Sequence, residues 1–361
     1  EMSLPEKRWS GCRRDEGTCD VTLWSRIQGP GPVVVIAEAG VNHDGSVDDA
    51  HALVDLAASV GADAVKFQTF RVESLVSPGA ESARYQQATT GLSRQGPMLQ
   101  RLVLPDATWS ELSEHALSLG LEFLSTPFDV ESAELLAGLG MEIAKVPSGE
   151  LTNLGFLRDI SAMFDKVLLS TGMATLEETE EAVLATTERS SVALMHCISS
   201  YPAPNDQLNL RAVSTLRERF DLPVGWSDHS VGIESAPLAV ALGAKVLEKH
   251  ITLDRRRAGP DHAASADAEE MVRLVEAVRS AERMLGDGVK RPQPCEADVT
   301  LVARRSWHVT RDLPAGHTLS DPDLVALRPG SGISPNEPLV GRRLEVAVAA
   351  GTMLEHEMLN G

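Results

Sequence analysis

The chain has 361 residues, enough for one large domain and a small second one, and its 43% hydrophobic and 24% charged residues are ordinary for a globular protein. No apolar run in the sequence reaches the roughly 20 residues that span a bilayer, so a membrane protein is not expected. The formal net charge of −19 argues against nucleic-acid binding, because contacts to phosphate need lysine and arginine.

The first 31 residues combine glycine, proline and charge without periodicity, and we leave this N-terminal tail unassigned. It lacks the apolar core of a signal peptide. The four cysteines, Cys12, Cys19, Cys197 and Cys295, are too sparse for a disulfide framework. Both features predict a cytoplasmic protein with reduced thiols. Cys12 and Cys19 are close enough in sequence to pair or to share a metal ion, although two free thiols are the preferred interpretation.

Short β-rich runs alternate with amphipathic helical patterns through residues 32–286. We predict strands at 33–38, 64–69, 122–127, 143–147, 167–171, 192–196, 222–228 and 246–250. Helices are predicted near 46–60, 106–119, 130–139, 153–163, 175–188, 209–218, 232–242 and 268–286. Eight strand–helix units predict a (β/α)₈ TIM barrel, an α/β fold. The rival fold is a doubly wound open sheet, which usually has a Gly-x-Gly-x-x-Gly loop after its first strand, and the sequence has none there.

Residues 287–301 are rich in glycine, proline and polar side chains, which indicates a linker. Beyond it the stretch 313–324 resembles 348–359. Each copy has Ala-Gly, then a leucine three residues after the glycine and another leucine five residues later. Two copies are too few for a solenoid, so residues 302–361 are predicted to form a compact, mostly β domain with pseudo-twofold character. The loop between the copies carries one cation, Arg328.

Nearly every predicted strand ends in polar residues, at the place where barrel enzymes keep their chemistry. These residues are Glu38, Lys66, Gln68, Thr69, Ser125, Thr126, Lys145, Ser148, Glu150, Ser170, Thr171, His196, Ser227, Asp228, His229, Glu248, Lys249 and His250. Side chains two positions apart on a strand share a face. We therefore expect Glu248 and His250 to point into the barrel together, and Lys249 to face the helices.

His229 and His250 end consecutive strands, so their imidazoles are expected side by side on the barrel rim. Two imidazoles can share one divalent ion while leaving positions open for substrate and water, as a catalytic metal needs. Two ordinary polar residues are the alternative, and the acidic and hydroxyl residues around them favour the metal. His196 is a candidate third ligand, but it has no carboxylate neighbour on its strand, which favours a structural role.

Lys66 and Lys145 are the cations expected to hold an anionic substrate in this acidic chain. An unpaired buried ammonium is costly, and a ligand with a phosphate and a carboxylate would pair both, with serine and threonine hydroxyls as donors. A Schiff-base aldolase with a lysine nucleophile is the alternative. Glu38 and Glu150 are the acid–base candidates for condensation at an enol, and the orientation of their loops is their alternative role.

The sequence resembles the N-acetylneuraminate (sialic acid) synthase family in nine segments that follow one another in family order. They lie at 36–45, 65–69, 125–128, 145–150, 169–173, 227–229, 248–250, 259–262 and 328–332. One such motif would be weak, whereas nine in order are highly specific. The resemblance runs from about residue 33 to the end, and it implies a TIM barrel followed by a small antifreeze-like (SAF, β-clip) domain.

The resemblance implies that phosphoenolpyruvate condenses with N-acetylmannosamine or a related amino-sugar aldehyde, giving a nine-carbon 2-keto sugar acid and phosphate. It implies Mn²⁺, or else Mg²⁺ or Co²⁺, on His229 and His250. It places phosphoenolpyruvate on Lys66, Thr126, Lys145, Ser148, Ser170 and Ser227. It places the sugar on Gln68, Glu150, Tyr201 and Asp261. It also implies a domain-swapped homodimer in which Arg328 reaches the barrel of the other copy.

Two departures from the family pattern concern the acceptor sugar. Ser199 stands where some members carry an asparagine near the sugar, and the stretch 79–98 has no clear match. Three acceptors therefore stay open: N-acetylmannosamine, its 6-phosphate, or a bacterial diacetamido-trideoxy hexose of the legionaminate type. A non-catalytic sugar-binding module stays open as a different class of function.

Overall fold

The structure, a computed structural model, describes residues 22–360, and the chain divides into two compact units between residues 286 and 287. Cys12 and Cys19 lie outside the described residues. The strands of the first unit are β1 (Val34–Gly40), β2 (Ala64–Thr69), β3 (Glu122–Pro127), β4 (Ile143–Val146), β5 (Lys166–Ser170), β6 (Ser191–Cys197), β7 (Val224–Asp228) and β8 (Val246–His250). All eight predicted strands are therefore present.

Helices alternate with these strands and add a few short elements that the periodicity did not indicate. They are α1 (Leu23–Gln28), α2 (Val47–Ser59), α3 (Val72–Leu75), α4 (Arg84–Thr90), α5 (Gln95–Gln100), α6 (Asp106–Ser118), α7 (Val130–Gly138), α8 (Leu154–Met163), α9 (Leu176–Thr187), α10 (Ala212–Phe220), α11 (Ser235–Ala241) and α12 (Ala268–Leu285). Among the described residues, no helix combines the length and the apolar character needed to cross a membrane.

The eight strands form one sheet in the order β3-β2-β1-β8-β7-β6-β5-β4, and every ladder in it is parallel. The first strand pairs with the last, which is the pairing that closes a barrel. This arrangement confirms the predicted TIM-barrel fold over the doubly wound sheet. The register places Glu38 beside Lys66 on one side and beside His250 on the other.

The period of two along each strand separates two cores. Outward residues such as Val35, Ala37 and Phe67 pack against the surrounding helices. Inward residues are apolar near the start of each strand and polar near its end, as in β1, where Val34 and Ile36 are followed by Glu38. The apolar half fills the lower part of the barrel, so the polar half is left at the carboxyl ends of the strands.

Helix α1 closes the lower end of the barrel and lies within the tail that the sequence left unassigned. Leu23, Trp24 and Ile27 are buried in the same cluster as the inward apolar residues of the strands. Thr22 caps the helix, because its hydroxyl accepts a hydrogen bond from the Ser25 amide at 3.3 Å. A helix of six residues is unstable alone, so this burial is what holds it.

The second unit contains helix α13 (Ala297–Ala303) and the antiparallel strands β9 (Ser306–Val309) and β10 (Leu324–Leu327). Helix α13 overlaps the end of the segment predicted as a linker, so that segment is not wholly irregular. Leucine, isoleucine and valine side chains of the unit form its own buried core.

The internal repeat predicted in this unit has a direct structural counterpart. Leu313 and Val348, which are equivalent positions, exchange two backbone hydrogen bonds of 2.9 Å. Gly316 and Gly351, three residues later in each copy, have φ angles of 83° and 81°. Side chains other than glycine rarely adopt this conformation, which explains why both copies keep a glycine there.

Candidate active site

A cavity of about 360 Å³ lies at the carboxyl ends of the barrel strands and is lined by the inward polar residues. Six ionisable groups in it, which we call the strand-end cluster, come from strands β1, β2, β4 and β8 and from the residue that follows β7. They are Glu38, Lys66, Lys145, His229, Glu248 and His250. All six side chains are buried. Strand alternation therefore brings together the residues that the sequence selected at separate strand ends.

Two carboxylates pair with the two ammonium groups of this cluster. Lys66 Nζ lies 2.6 Å from Glu38 Oε2 and 3.7 Å from Glu248 Oε2, and Lys145 Nζ lies 3.2 Å from Glu248 Oε1. Lys66 also donates to the Thr126 hydroxyl at 2.9 Å. Glu248 was expected to point inward but was not selected as a site residue. It bridges both lysines, and its alternation with His250 was the signal that could have identified it.

The two carboxyl groups have opposite pKa shifts. Burial raises the pKa of Glu38 to about 7, although the Lys66 ammonium opposes the rise. Burial would also raise the pKa of Glu248, but Lys145 and Lys66 outweigh burial and hold this pKa well below its usual range. Near neutral pH, Glu38 can therefore exchange a proton, whereas Glu248 is a fixed anion.

The imidazoles of His229 and His250 lie side by side, with ring centroids 5.5 Å apart. His229 Nδ1 lies 2.7 Å from the Ile198 carbonyl oxygen, and because that oxygen only accepts, Nδ1 carries the proton. Nε2 then accepts a hydrogen bond from the Tyr201 hydroxyl, 3.2 Å away. His250 Nδ1 is buried and has no hydrogen-bond partner among the described residues.

These two residues fit a divalent metal ion. Burial lowers the pKa of His229 to about 4 and lowers that of His250 well below its usual range, so both rings are neutral at pH 7, the form that binds metal. In the part of the chain that the structure describes, no three or more His, Cys, Asp or Glu side chains converge to enclose an ion. The chain therefore offers two nitrogen ligands beside an open cavity rather than a closed structural site.

Hydroxyl groups line the cavity on the side of Lys145. The Ser170 hydroxyl is buried and has no partner among the described residues. The Gly172 amide donates to Ser148 Oγ at 3.0 Å, and a Cβ at Gly172 would lie 2.8 Å from both Ser148 Oγ and Cys197 Sγ. Only glycine fits so close to these groups. This part of the cavity thus offers hydroxyl donors beside an ammonium group, which suits an oxyanion.

A different surface faces the cavity from the long connection between β2 and α6, residues 70–105. We call its six aliphatic and aromatic lining residues the apolar wall: Phe70, Leu75, Val76, Met98, Leu99 and Leu102. Tyr85 of helix α4 lines the cavity beside them and stacks on Tyr201, with ring centroids 5.5 Å apart. None of these residues of the connection was predicted to be functional. The stretch has no single periodicity, so its pattern does not indicate which of its side chains face inward.

Comparison with known proteins decides the family. Residues 53–290 match the NeuB family, and residues 304–360 match the SAF domain. The chain belongs to the NeuB family. It is 45% identical over 329 residues to an N,N'-diacetyllegionaminic acid synthase of Legionella pneumophila, a match that covers 89% of this chain and 92% of the relative. It is 31% identical over 340 residues to the human N-acetylneuraminate-9-phosphate synthase, covering 92% and 94%.

A solved structure agrees with this assignment. The crystal structure of an N-acetylneuraminic acid (sialic acid) synthetase from Leptospira borgpetersenii, in complex with citrate, superposes with a TM-score of 0.68 at 34% identity, covering 75% of this chain and 91% of that chain. The predicted resemblance is therefore confirmed. This NeuB-family chain is an enzyme of the type that condenses phosphoenolpyruvate with an amino sugar.

Most residues that the resemblance placed on the substrates line the cavity of this NeuB-family enzyme. Besides the lysines, they are Gln68, Thr126, Ser148, Ser170, Tyr201, Ser227 and Asp261. Glu150 is not among these lining residues, and its carboxylate accepts a hydrogen bond from the Asn153 side-chain amide at 2.8 Å. This contact agrees with the loop-orienting role that was its alternative, and its contact with the sugar stays a prediction. Arg328 is exposed in the second unit and donates to the Ala303 carbonyl at 3.0 Å.

Two further strand-end residues have structural partners. His196 Nε2 lies 2.9 Å from the Leu208 carbonyl oxygen and its ring packs on Trp226, which agrees with the structural role expected of it. Lys249 points away from the cavity, and its ammonium lies 2.9 Å from Asp228. Alternation along β8 therefore separates a structural ion pair from the site residues on either side of it.

Proposed function

We propose that this NeuB-family enzyme joins phosphoenolpyruvate to the aldehyde of a diacetamido-trideoxy hexose, with water, to form phosphate and a nine-carbon 2-keto acid of the N,N'-diacetyllegionaminic type. The observation that carries the proposal is the strand-end cluster, which holds two ammonium groups and two neutral imidazoles in one cavity. The choice of acceptor is supported by the 45% identity to a relative named for that product, against 31% to the human enzyme named for N-acetylneuraminate 9-phosphate.

Phosphoenolpyruvate would bind at the lysine end of the cavity. Lys66 and Lys145 attract its phosphate and carboxylate, and the unpartnered Ser170 hydroxyl donates to it. The anion must compete with the carboxylates that already pair with these lysines. Because Glu38 has a pKa of about 7, it can become neutral when the substrate binds and leave the Lys66 ammonium to the incoming anion.

A divalent ion, Mn²⁺ foremost and otherwise Mg²⁺ or Co²⁺, would be held by His229 and His250, and it would supply polarisation of the aldehyde oxygen. The Ile198 carbonyl fixes the ring of His229 so that Nε2 faces the cavity. The aldehyde end of the acceptor would thus lie near Tyr201, and the phosphate end of phosphoenolpyruvate near Lys145.

The bond changes follow from this placement. C3 of phosphoenolpyruvate bonds to the aldehyde carbon, and Glu38 in its protonated form gives its proton to the new alkoxide. Water then adds to C2 and returns a proton to Glu38. The bond from C2 to the phosphate oxygen breaks, and the remaining hydroxyl proton passes to the departing phosphate as the keto group forms. Glu248 stays ionised and bridges the two lysines.

A Schiff-base aldolase is less compatible with the same residues. A lysine nucleophile needs a lowered pKa, whereas Glu248 and Glu38 raise the pKa of Lys66 despite its burial. Borohydride treatment in the presence of pyruvate is expected to leave the chain unlabelled.

The proposal extends to a homodimer in which the second unit is exchanged and Arg328 reaches the cavity of the other copy. Arg328 is exposed in this chain, and Val299, Leu301 and Val302 of the adjoining helix α13 are 57–64% exposed. A partner surface that covers them would remove apolar area from water. Light scattering should give twice the mass of one chain. Inactive chains carrying Arg328→Ala and inactive chains carrying Lys145→Met should regain activity when refolded together.

Turnover itself is tested by mixing the full chain with phosphoenolpyruvate, Mn²⁺ and the diacetamido-trideoxy hexose, and measuring phosphate and 2-keto acid. Equal amounts of both products are expected, and a chelator should abolish both. Phosphate release that continues in the chelator would contradict the role of the metal, and no release with any amino sugar would overturn the proposed function.

A further inference from the structure

On the basis of this proposed function, we propose that the apolar wall and Tyr85 select the acceptor, by taking up the methyl groups of a 6-deoxy, doubly N-acetylated sugar. Specificity would then be set by a loop region that is separate from the residues that carry the condensation.

A row of aromatic rings leads from Tyr85 to the two imidazoles. Tyr85 stacks on Tyr201, the ring of Tyr201 lies 4.2 Å from His229, and the same ring lies 5.7 Å from His250, centroid to centroid. An aldehyde bound near the imidazoles therefore directs the rest of the sugar past Tyr201. On this placement we expect the wall to contact the far end of the acceptor.

The chemistry of the wall suits methyl groups better than hydroxyls. Its six residues offer only carbon and thioether surface, and the polar groups of the same connection that line the cavity are Tyr85, Gln86 and Gln95. A sugar hydroxyl placed against aliphatic side chains loses water without gaining a partner. A methyl group at the same place removes apolar surface from water. The side-chain amides of Gln86 and Gln95 can still bond the acetamido groups.

The charge of the wall also argues against a phosphorylated acceptor. The connection carries four arginines, and none of them lines the cavity. Arg71 is held by Asp106 through two hydrogen bonds of 2.7 Å, and the side chains at 84, 94 and 101 are exposed. Among the described lining residues the only lysine or arginine side chains are Lys66 and Lys145, and both are paired with buried carboxylates.

A panel of three acceptors tests the inference on the unaltered enzyme. We expect kcat/KM for the diacetamido-trideoxy hexose to exceed that for N-acetylmannosamine by roughly 10–200-fold, the range that small apolar groups produce in an apolar pocket. N-acetylmannosamine 6-phosphate should be poorer still. Equal values, or a preference for the phosphate, would overturn the inference while leaving the condensation intact. No product with any acceptor would instead overturn the proposed function.

Substitutions then assign the preference to the wall. Leu99→Asn should raise KM for the diacetamido sugar and reduce its advantage over N-acetylmannosamine by about tenfold, with KM for phosphoenolpyruvate unchanged. Leu117→Asn makes the same change on an exposed part of α6 and should have no effect. Tyr85→Phe keeps the ring and should keep the preference, whereas Tyr85→Leu should lose most of it. If Tyr85→Leu lowers kcat equally for all acceptors, Tyr85 only supports Tyr201 and the inference fails.

Discussion

The strand-end cluster and the apolar wall border the same cavity, yet they differ in origin and in chemistry. The cluster is built from residues at the ends of strands, held by a hydrogen-bonded sheet, and its members are ionisable and buried. The wall comes from one long connection with three short helices and is made of carbon surface. The comparison suggests that the strand-end cluster carries out the reaction, whereas the apolar wall determines which sugar is accepted.

The largest effect should come from replacing an imidazole of the strand-end cluster. Such a change should lower activity with every acceptor, whereas a change in the wall should alter only the preference among acceptors. His250→Ala removes one of the two nitrogen ligands, and polarisation worth several kcal/mol corresponds to a loss of about 10³-fold in kcat/KM with every acceptor. Titration with Mn²⁺ should show weaker binding by the variant. His51→Ala, on helix α2 away from the cavity, is the control. Activity above a tenth of the original would contradict the assignment.

Glu38→Gln should have the next largest effect, a loss of about 10²-fold in kcat that is again independent of the acceptor. The protonated form of Glu38 starts the reaction, so kcat/KM in the unaltered enzyme should fall as pH rises through about 7. The glutamine variant keeps the shape of the side chain but has no proton to exchange, so this fall should disappear. A variant that keeps the same pH profile would assign the titration to another group.

The smallest effect is expected for Glu150→Gln. This variant tests whether Glu150 contacts the sugar, as the family resemblance implies, or only orients its loop. Because Glu150 does not line the cavity, its replacement should change kcat and both KM values by no more than about twofold. Steady-state kinetics with both substrates are sufficient. A hundredfold loss would show that the loop brings this carboxylate into the site during turnover.

The strand-end cluster could be predicted from sequence because two local rules were enough. Polar residues closed each apolar strand, and the period of two sorted those that face inward, as with His250 and Lys249. The same rule could have identified Glu248, which lies two positions before His250. It was passed over because its role depends on two lysines from other strands, a contact that local spacing does not reveal.

The apolar wall and helix α1 could not be predicted, for a related reason. Leu99 and Phe70 look like ordinary core residues, and only the folded barrel shows that they border a cavity. Trp24 belongs to a helix too short to be recognised by periodicity, whose stability comes from burial beneath the strands. In both cases the deciding interactions are distant in sequence.

The central claim is that this cavity carries out condensation with cleavage of the C2–oxygen bond of phosphoenolpyruvate. Phosphoenolpyruvate labelled with ¹⁸O at the bridging oxygen tests it directly, with the diacetamido-trideoxy hexose and Mn²⁺ present. Mass spectrometry should find the label in the released phosphate and none in the 2-keto acid. Label retained on C2 of the sugar acid would show that the phosphorus–oxygen bond breaks instead, and would contradict the reaction assigned to Lys66, Lys145 and Glu38.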